Sequence, residues 1–373
     1  MAKQKKQHYV SRFYLKNFSN NSDKKTIGIF NIQSEKFIRS GSIKNEAYSD
    51  NIYGKDGVIE TALGGIEGVS AKVIFDIIQK KGLPKHKSDK HDILLVFVLL
   101  LSARTKFIAE SMDELLDKQM RVMFANHPYA RKHLDEVKFK YEYPALLALR
   151  IASETRFFAA DLRFKLLVNE TKLPFITSDN PVVKYNQFLA NRSFHGSNVG
   201  LASKGLQIIL PLSPNVCVIF YDSDVYKIGR PMRRIIRVKK IIDINEINKI
   251  QLVNANENIY FDDAITEKFV MELAKKGKKF RRKKKANISV YDAYDSQKGR
   301  KGKVMHMFQE DVHTNLQLSF ISITQKARRY DLSKRVVYVR KPKLMNEYER
   351  LRGCKHYYEG NLIWGQDTKK EEL

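Results

Sequence analysis

The chain has 373 residues, and its hydrophobic fraction of 43% fits a globular protein with a full core. Lys and Arg outnumber Asp and Glu by 68 to 41, and the formal charge of +27 exceeds what solubility requires, so we expect a polyanionic partner, RNA or DNA in preference to a membrane surface. Two cysteines, Cys217 and Cys354, exclude a disulfide framework, and the longest apolar run, residues 93–101, is too short to span a bilayer, so we expect a cytoplasmic protein.

The segment at residues 8–18 carries a histidine, an arginine and four aromatic rings. Its apolar residues are too dense for a flexible terminus and predict burial. Burial takes His8 and Arg12 inward, and polar groups removed from water need partners. We therefore expect this segment to enter a polar and specific environment.

The first half of the chain is predicted to be mainly helical. An apolar stripe at helical spacing begins near Val58, and the Gly82-Leu83-Pro84 triplet ends it. Ser88 is a suitable N-cap for a second, long helix that runs through Arg104. The predicted elements are a hairpin over residues 26–32 and 36–38 and helices over residues 58–81, 88–124 and 144–158.

The periodicity changes after residue 160, where short runs rich in β-branched and aromatic residues predict a mixed or antiparallel sheet. Strands are predicted over residues 162–168, 175–177, 206–210, 216–221, 287–291, 316–324 and 336–340, helices over residues 243–256 and 264–276, and a loop over residues 296–303. The helices and strands come in blocks and not as alternating βαβ units, so the fold class is predicted to be α+β.

Five short motifs stand out from the rest of the chain. They are HYVSRFYLKNF at residues 8–18, ETAL at 60–63 with Glu67 and Ala71, SART at 102–105, TSDNPV at 177–182 and PLSP at 211–214. They resemble the motifs of a widespread, mostly bacterial family called domain of unknown function 4238, whose opening reads HYVPRFYLRNF. Ser11 stands where the family usually has proline.

The resemblance covers roughly residues 8–260 and divides the chain into a family-like core, residues 1–260, and a basic C-terminal extension with strands, residues 261–373. Within the core we distinguish the hairpin, a helical block at 58–158 and a sheet at 161–221. The family name implies no activity, and its bacterial spread only suggests a defence or toxin setting.

The polar members of these motifs are predicted to share one pocket; they are His8, Arg12, Glu60, Glu67, Arg104, Asp179 and Asn180. We expect a phosphodiesterase or nuclease in which Glu60, Glu67 and Asp179 hold Mg²⁺ or Mn²⁺ and His8 acts as acid or base. Arg12, Arg104 and Asn180 would bind the substrate. Two alternatives stay open: an ion pair of Glu67 with Arg104 that joins two helices, and an Asx-turn at Asp179.

Nine of the eleven positions at residues 275–285 are basic. A run of like charges repels itself, so we expect an exposed, mobile segment that clamps a phosphate backbone, with Phe280 stacking on a base. The predicted contacts are Lys278, Lys279, Arg281, Arg282 and Lys283. A basic surface without a polyanionic partner is the alternative.

Two further nuclease patterns are present in weak form. Arg121 and His127 have the spacing of the metal-free helical RNases called HEPN proteins, and Asp161, Glu170 and Lys172 resemble the acidic-basic pattern of restriction-type nucleases. A P-loop, GxSxG, HExxH or zinc-finger spacing is absent from the sequence. A non-catalytic protein that binds RNA or DNA is therefore the alternative from a different functional class.

Overall fold

The computed structural model describes residues 5–20, 24–190, 196–295, 300–333, 336–351 and 362–363. The helices of these residues are α1 (Arg12–Leu15), α2 (Val58–Lys80), α3 (Asp89–Ala103), α4 (Lys106–Phe124), α5 (Pro144–Thr155), α6 (Ile241–Asn254), α7 (Glu267–Gly277), α8 (Gln325–Arg328) and α9 (Pro342–Leu351).

The strands of the same residues belong to two larger sheets and several two-stranded pairs. They are β1 (Lys6–His8), β2 (Thr26–Asn31), β3 (Lys36–Ser42), β4 (Tyr48–Asp50), β5 (Arg163–Asn169), β6 (Thr177–Ser178), β7 (Val183–Tyr185), β8 (Gln207–Ser213), β9 (Val216–Tyr221), β10 (Tyr226–Ile228), β11 (Ile235–Val238), β12 (Asn258–Phe261), β13 (Ala286–Asp295), β14 (Arg300–Gln309), β15 (Ile321–Ile323), β16 (Val336–Val337) and β17 (Leu362–Ile363). A helical block is thus followed by mixed and antiparallel sheets, which confirms the α+β prediction.

The single helix predicted over residues 88–124 is wrong, because the chain breaks between α3 and α4. Thr105 is extended, with φ −70° and ψ 156°, and its side chain accepts a hydrogen bond from the Ile108 N–H group. This N-cap starts a new helix and satisfies a donor that would otherwise lack a partner. Arg104 consequently lies at the end of α3, where its side chain turns into the interior.

The five-stranded sheet forms the middle layer of the molecule, with strand order β11-β5-β9-β8-β7. β11 runs parallel to β5, and the other neighbours are antiparallel. Successive side chains of β9 alternate between two cores: Val218 packs with α2 and α3, whereas Cys217 and Ile219 pack with α6. Both faces are buried, so these strands read as continuous apolar runs in the sequence.

The predicted hairpin is one half of a four-stranded antiparallel sheet with order β3-β2-β12-β6. β12, which the sequence analysis missed, lies between the hairpin and the TSDNPV segment, with Tyr260 opposite Ile29 on one side and Thr177 on the other. Gly28 faces Phe261, and a Cβ at this position would come within 2.4 Å of the Phe261 ring. A residue without a side chain is therefore needed where the two strands meet.

The C-terminal strand predictions are partly wrong. In residues 316–324 only β15 is a strand, because the Leu316 and Ser319 N–H groups bind the Tyr185 hydroxyl and the Asp243 carboxylate instead of a neighbouring strand. Residues 300–303 of the predicted loop belong to β14, and residues 296–299, like Cys354, lie outside the described residues. In the part of the chain that is described, no helix is long and apolar enough to cross a membrane.

Candidate functional site

The motifs singled out in the sequence meet inside the molecule although they are far apart in the chain. Tyr14 of the opening segment is fully buried, and its hydroxyl group lies 2.6 Å from Thr177 Oγ1 and donates to the Pro211 carbonyl at 2.7 Å. Thr105 Oγ1 donates to Asn180 Oδ1 at 3.1 Å. Hydrogen bonds between buried side chains therefore connect the opening segment to the TSDNPV and PLSP motifs, and the SART motif to TSDNPV.

Arg104 and Glu67 form an ion pair between α2 and the end of α3. Arg104 Nη2 lies 2.7 Å from Glu67 Oε1 and also donates to the Ser11 hydroxyl, which in turn donates to the same Glu67 oxygen at 2.9 Å. Arg104 is buried, while Glu67 keeps 28% of its side chain exposed. This pair is the helix-joining contact that the alternative interpretation of Glu67 expected, and Ser11 completes it.

His8 lies beside this ion pair and is almost fully enclosed, with 8% of its surface exposed. Within the described residues, neither of its ring nitrogens has a hydrogen-bond partner. Burial and the positive charges of Arg12 and Arg104 lower the pKa of His8 to about 4, although Glu67 acts in the opposite direction. The imidazole is therefore neutral at physiological pH, with one nitrogen able to accept a proton.

Asp179 faces a different group of partners. Its carboxylate accepts the backbone N–H groups of Asn256 and Glu257, each at 2.7 Å, and of Asn258 at 3.1 Å. Burial raises its pKa to about 6 in spite of these donors. Asp179 thus holds the turn between α6 and β12.

Asn180 also connects the TSDNPV segment to the end of α6. Its side-chain amide donates to the Asn254 carbonyl at 3.0 Å, and the Asn254 amide donates back to the Asn180 carbonyl at 2.5 Å. Both side-chain ends of Asn180 are occupied, because Thr105 binds its oxygen. The residue therefore ties the start of α4 to the end of α6.

The predicted metal ligands Glu60, Glu67 and Asp179 are not assembled into a site. Among the residues that the structure describes, no three His, Cys, Asp or Glu side chains are placed to hold a metal ion. Glu67 is bound by Arg104, and Asp179 by three N–H groups. Burial raises the pKa of Glu60, with Arg104 opposing the shift. The donor set that Mg²⁺ or Mn²⁺ requires is thus not gathered from these residues.

The basic run at residues 275–285 is anchored at two positions instead of being free throughout. Arg281 donates to the carbonyls of Leu252, Ala255 and Asn256, and Arg282 donates to the Asn254 and Glu310 carbonyls. The carbonyls at the end of α6 need such donors, and cations stabilise that end of a helix. Burial lowers the pKa of Arg282 to about 10. Arg281 and Arg282 therefore have structural partners, and their predicted phosphate contacts stay a prediction.

The lysines of the run remain exposed. Lys278, Lys279, Lys283 and Lys284 are exposed, whereas Lys285 pairs with Glu110. Lys279, Lys283 and Lys284 line a cavity of about 680 Å³ between the run, the loop after β7 and residues 310–315. Phe280 also lines this cavity, packed partly against the second core. We call this cavity the basic cleft.

Two acidic side chains line the basic cleft, and both are internally bound. Glu310 pairs with His313 at 3.1 Å. Asp311 accepts the Ser197 hydroxyl at 2.8 Å and the Asn198 N–H group at 2.7 Å, and it lies in the field of Arg282. The exposed lysines consequently set the sign of the potential in the cleft.

The two weaker nuclease patterns do not form sites. Arg121 donates to Asp117 and to the Leu134 and Val137 carbonyls, so its guanidinium is used to hold the segment after α4. His127 Nδ1 accepts the Ala130 N–H group and caps a turn. Both residues of the HEPN-like pattern have structural partners.

Asp161 and Glu170 stand at opposite ends of β5. That strand has seven residues, which separates the two carboxylates by roughly 20–25 Å. Asp161 binds Arg340 at 2.8 Å, and Glu170 binds Arg237 at 2.5 Å. The restriction-type pattern of Asp161, Glu170 and Lys172 is therefore wrong as a catalytic group.

Glu46 is a candidate functional residue that the sequence analysis missed. It follows β3 and accepts a hydrogen bond from the Tyr260 hydroxyl at 3.1 Å. Burial raises its pKa to about 7, with Asp179 adding to the shift. Its surroundings come from β12, which is distant in sequence, so no local signal could have found it.

A comparison with known families identifies the group to which this architecture belongs. The family model described as Protein of unknown function (DUF4238) matches residues 6–264, which include all five motifs. The chain belongs to this family. No curated protein and no solved structure was found to match the chain. The match confirms the resemblance and supplies no activity.

Proposed function

We propose that this DUF4238 protein binds nucleic acid through the basic cleft. The observation that carries the proposal is that Lys279, Lys283 and Lys284 are exposed, line a cavity of about 680 Å³ and form no ion pair within the described residues. Lysines that lack carboxylate partners are free to neutralise phosphates and to release their counterions. The charge of +27 supplies a long-range attraction to the same ligand.

The cleft also contains groups that suit a single strand better than a smooth phosphate surface. Phe280 supplies an aromatic ring, with Lys279 Nζ 4.9 Å from its centroid, and Asn315 supplies an amide. Bases stack on aromatic rings without regard to sequence, and amides bind base edges. The proposal is therefore a binder of single-stranded RNA or DNA with weak sequence preference.

The first test measures the salt dependence of binding by fluorescence anisotropy with labelled single-stranded RNA and DNA. Replacing Lys279, Lys283 and Lys284 by Gln should reduce the slope of log K against log salt by about two units and weaken binding to all sequences alike. The matched control replaces Lys275, Lys276 and Lys278 by Gln, because these exposed lysines belong to the same run but do not line the cleft. Equal slopes in the two triple variants would contradict the proposal.

Phosphodiester cleavage at His8 is a second candidate function. The specific observation is a neutral, buried imidazole beside Arg104. Its two nitrogens have no hydrogen-bond partner within the described residues, and the exposed Arg12 contributes positive charge. A neutral imidazole can accept the proton of an attacking hydroxyl group, and an arginine can stabilise the charge that develops on phosphate. The chain thus offers an acid-base group and a cation without the carboxylate cluster predicted earlier.

The second test incubates the purified protein with labelled RNA and DNA in EDTA and, separately, with Mg²⁺ or Mn²⁺. Cleavage should persist in EDTA and fall about 10²-fold to 10⁴-fold in His8→Gln, since a positioned general base contributes that much. His127→Gln is the matched control and should retain full activity, because His127 caps an exposed turn. Cleavage that requires the metal and survives His8→Gln would refute the role of His8.

A further inference from the structure

A second cavity, of about 550 Å³, opens at the opposite side of the five-stranded sheet from the basic cleft. The basic cleft lies beside Tyr185 of the edge strand β7, whereas this cavity lies at the start of β5, next to the other edge strand β11. Three strand spacings separate β5 from β7, which is about 14 Å. The two cavities are therefore distinct places on the molecule.

The lining of the second cavity contains several basic side chains and no carboxylate. The basic residues are His86, Arg163, Lys165, Lys227 and Arg234. Asp222, which lies between the lining residues Tyr221 and Ser223 in sequence, is buried and accepts the N–H groups of Gly205 and Asp224. A cavity whose charged lining residues are all cationic favours an anionic occupant.

Lys165 is the decisive member of this group. Only 3% of its surface is exposed, and its Nζ donates to the Arg230 carbonyl at 2.7 Å. An ammonium group has three donors, so two remain for other acceptors. No carboxylate of the described residues pairs with Lys165, and burial without such a partner lowers its pKa. Burying a cation that no anion compensates is costly.

Other buried cations of this protein are compensated differently. Arg104 pairs with Glu67, and Arg340 pairs with Asp161. The buried Lys204 lies over the Tyr330 ring, with Nζ 4.9 Å from the ring centroid, and the partly buried Lys184 lies in the field of Asp311. Lys165 has no such partner among the described residues, and it therefore points to an anion that comes from outside the chain.

The apolar part of the lining defines the rest of the ligand. Phe164, Tyr221 and Met232 contribute carbon surface next to the cations. Tyr221 lies opposite Arg163 in the pairing of β5 with β9, so an aromatic ring and a guanidinium stand side by side. The volume lies within the roughly 300–1,000 Å³ of small-molecule sites. An anion attached to a planar or apolar body fits this combination.

We propose that this cavity binds a small phosphate monoester of the nucleoside monophosphate type, with Lys165 and Arg163 neutralising the phosphate group. Arg163 and Lys227 are exposed and unpaired within the described residues, so they can close on the ligand. Arg234 is held by the Pro84 carbonyl at 2.7 Å and forms part of the rim. This site is independent of the proposed binding of nucleic acid.

Isothermal titration calorimetry with adenosine 5′-monophosphate, inorganic phosphate and an oligonucleotide that lacks terminal phosphates tests the proposal. Adenosine monophosphate should bind more tightly than phosphate, and Lys165→Met should weaken both by about tenfold to a hundredfold, the value of a charge-assisted hydrogen bond. Affinity for the oligonucleotide should stay unchanged. Lys36→Met, at an exposed position of β3, is the matched control and should bind adenosine monophosphate like the wild type.

Arg163→Gln is a second variant in case Lys165→Met does not fold. Because Arg163 is exposed, its replacement should leave the stability of the protein unchanged but weaken the binding of adenosine monophosphate. Wild-type protein that binds neither phosphate nor adenosine monophosphate at millimolar concentration would overturn the proposal. So would equal affinities of wild type and both variants. A parallel loss of oligonucleotide binding in Lys165→Met would assign the cavity to a nucleic-acid backbone and contradict the small-molecule site.

Discussion

His8 and Glu46 show how burial changes the pKa of single ionisable residues. Burial disfavours the charged form of both side chains, so it lowers the pKa of His8 to about 4 and raises that of Glu46 to about 7. The imidazole is therefore neutral at physiological pH, and the carboxyl group is only partly ionised. A carboxyl group that can exchange protons near neutrality, as Glu46 can, is typical of functional sites, and both residues lie within the part of the chain that the family model covers.

The stability of Glu46→Gln relative to the wild type should depend on pH. Folding raises the pKa of Glu46 from 4.5 to about 7, so the folded state holds a proton that the unfolded chain releases in this range. Glu46 therefore makes the wild type progressively less stable as pH rises from 4.5 to 7. The free energy of unfolding of Glu46→Gln minus that of the wild type should rise over this window and then level off.

Urea unfolding at a series of pH values measures this difference. Comparing two variants is necessary because His8 acts in the opposite direction: its pKa falls from 6.5 to about 4, so its contribution grows as pH rises between these values. Glu35→Gln, at an exposed position, is the control and should track the wild type. A difference for Glu46→Gln that stays flat from acid to neutral pH would show that Glu46 is ionised normally.

Elements with a strong local pattern could be predicted from the sequence, whereas those made by distant contacts could not. The amphipathic stripe of α2 and the glycine that follows it, Gly82, predicted nearly correct bounds for this helix. The apolar run of β9 predicted the bounds of this strand, residues 216–221, without error. β12 was not predicted, because its four residues form a strand only through their pairing with β2 and β6. The break between α3 and α4 at Arg104 was not predicted either, because Thr105 lacks the acidic partner of a capping box.

The same distinction between local patterns and distant contacts applies to the candidate site. The motifs identified His8, Glu67 and Arg104 correctly as neighbours, since each lies next to residues that must be buried. They could not reveal that Asp179 faces backbone N–H groups, because those belong to the turn before β12. A short polar motif indicates burial of its side chains, but the partners that decide their chemistry come from elsewhere in the chain.

At the scale of the whole molecule, the positive charge serves two purposes. Arg104, Arg281, Arg282 and Arg340 bind carbonyls or carboxylates inside the protein and hold segments together. The exposed lysines of residues 278–284 have no such partners within the described residues and carry the outward potential. Arginine suits the first purpose because its planar group makes several fixed hydrogen bonds, and lysine suits the second as a mobile point charge.

Arg340 connects the C-terminal region to the rest of the protein. Its replacement by alanine should destabilise that region more than replacement of its neighbour Lys341. It is 1% exposed, binds both oxygens of Asp161 and donates to the carbonyls of Phe158, Leu201 and Ser203. Arg340→Ala leaves the buried Asp161 carboxylate with Lys341, at 3.5 Å, as its remaining ion-pair partner among the described residues, and should cost about 3–5 kcal/mol.

The measurement combines urea unfolding with limited proteolysis, in which Arg340→Ala should expose new cleavage sites within residues 325–345. Lys341→Ala is the matched control: this neighbour also approaches Asp161, but 40% of its side chain is exposed, so its removal should change stability by no more than about 0.5–1 kcal/mol. If the two variants lost stability equally, or if Arg340→Ala were cleaved like the wild type, the C-terminal region would be held by its apolar contacts. The buried ion pair would then contribute specificity to the docking and little to its strength.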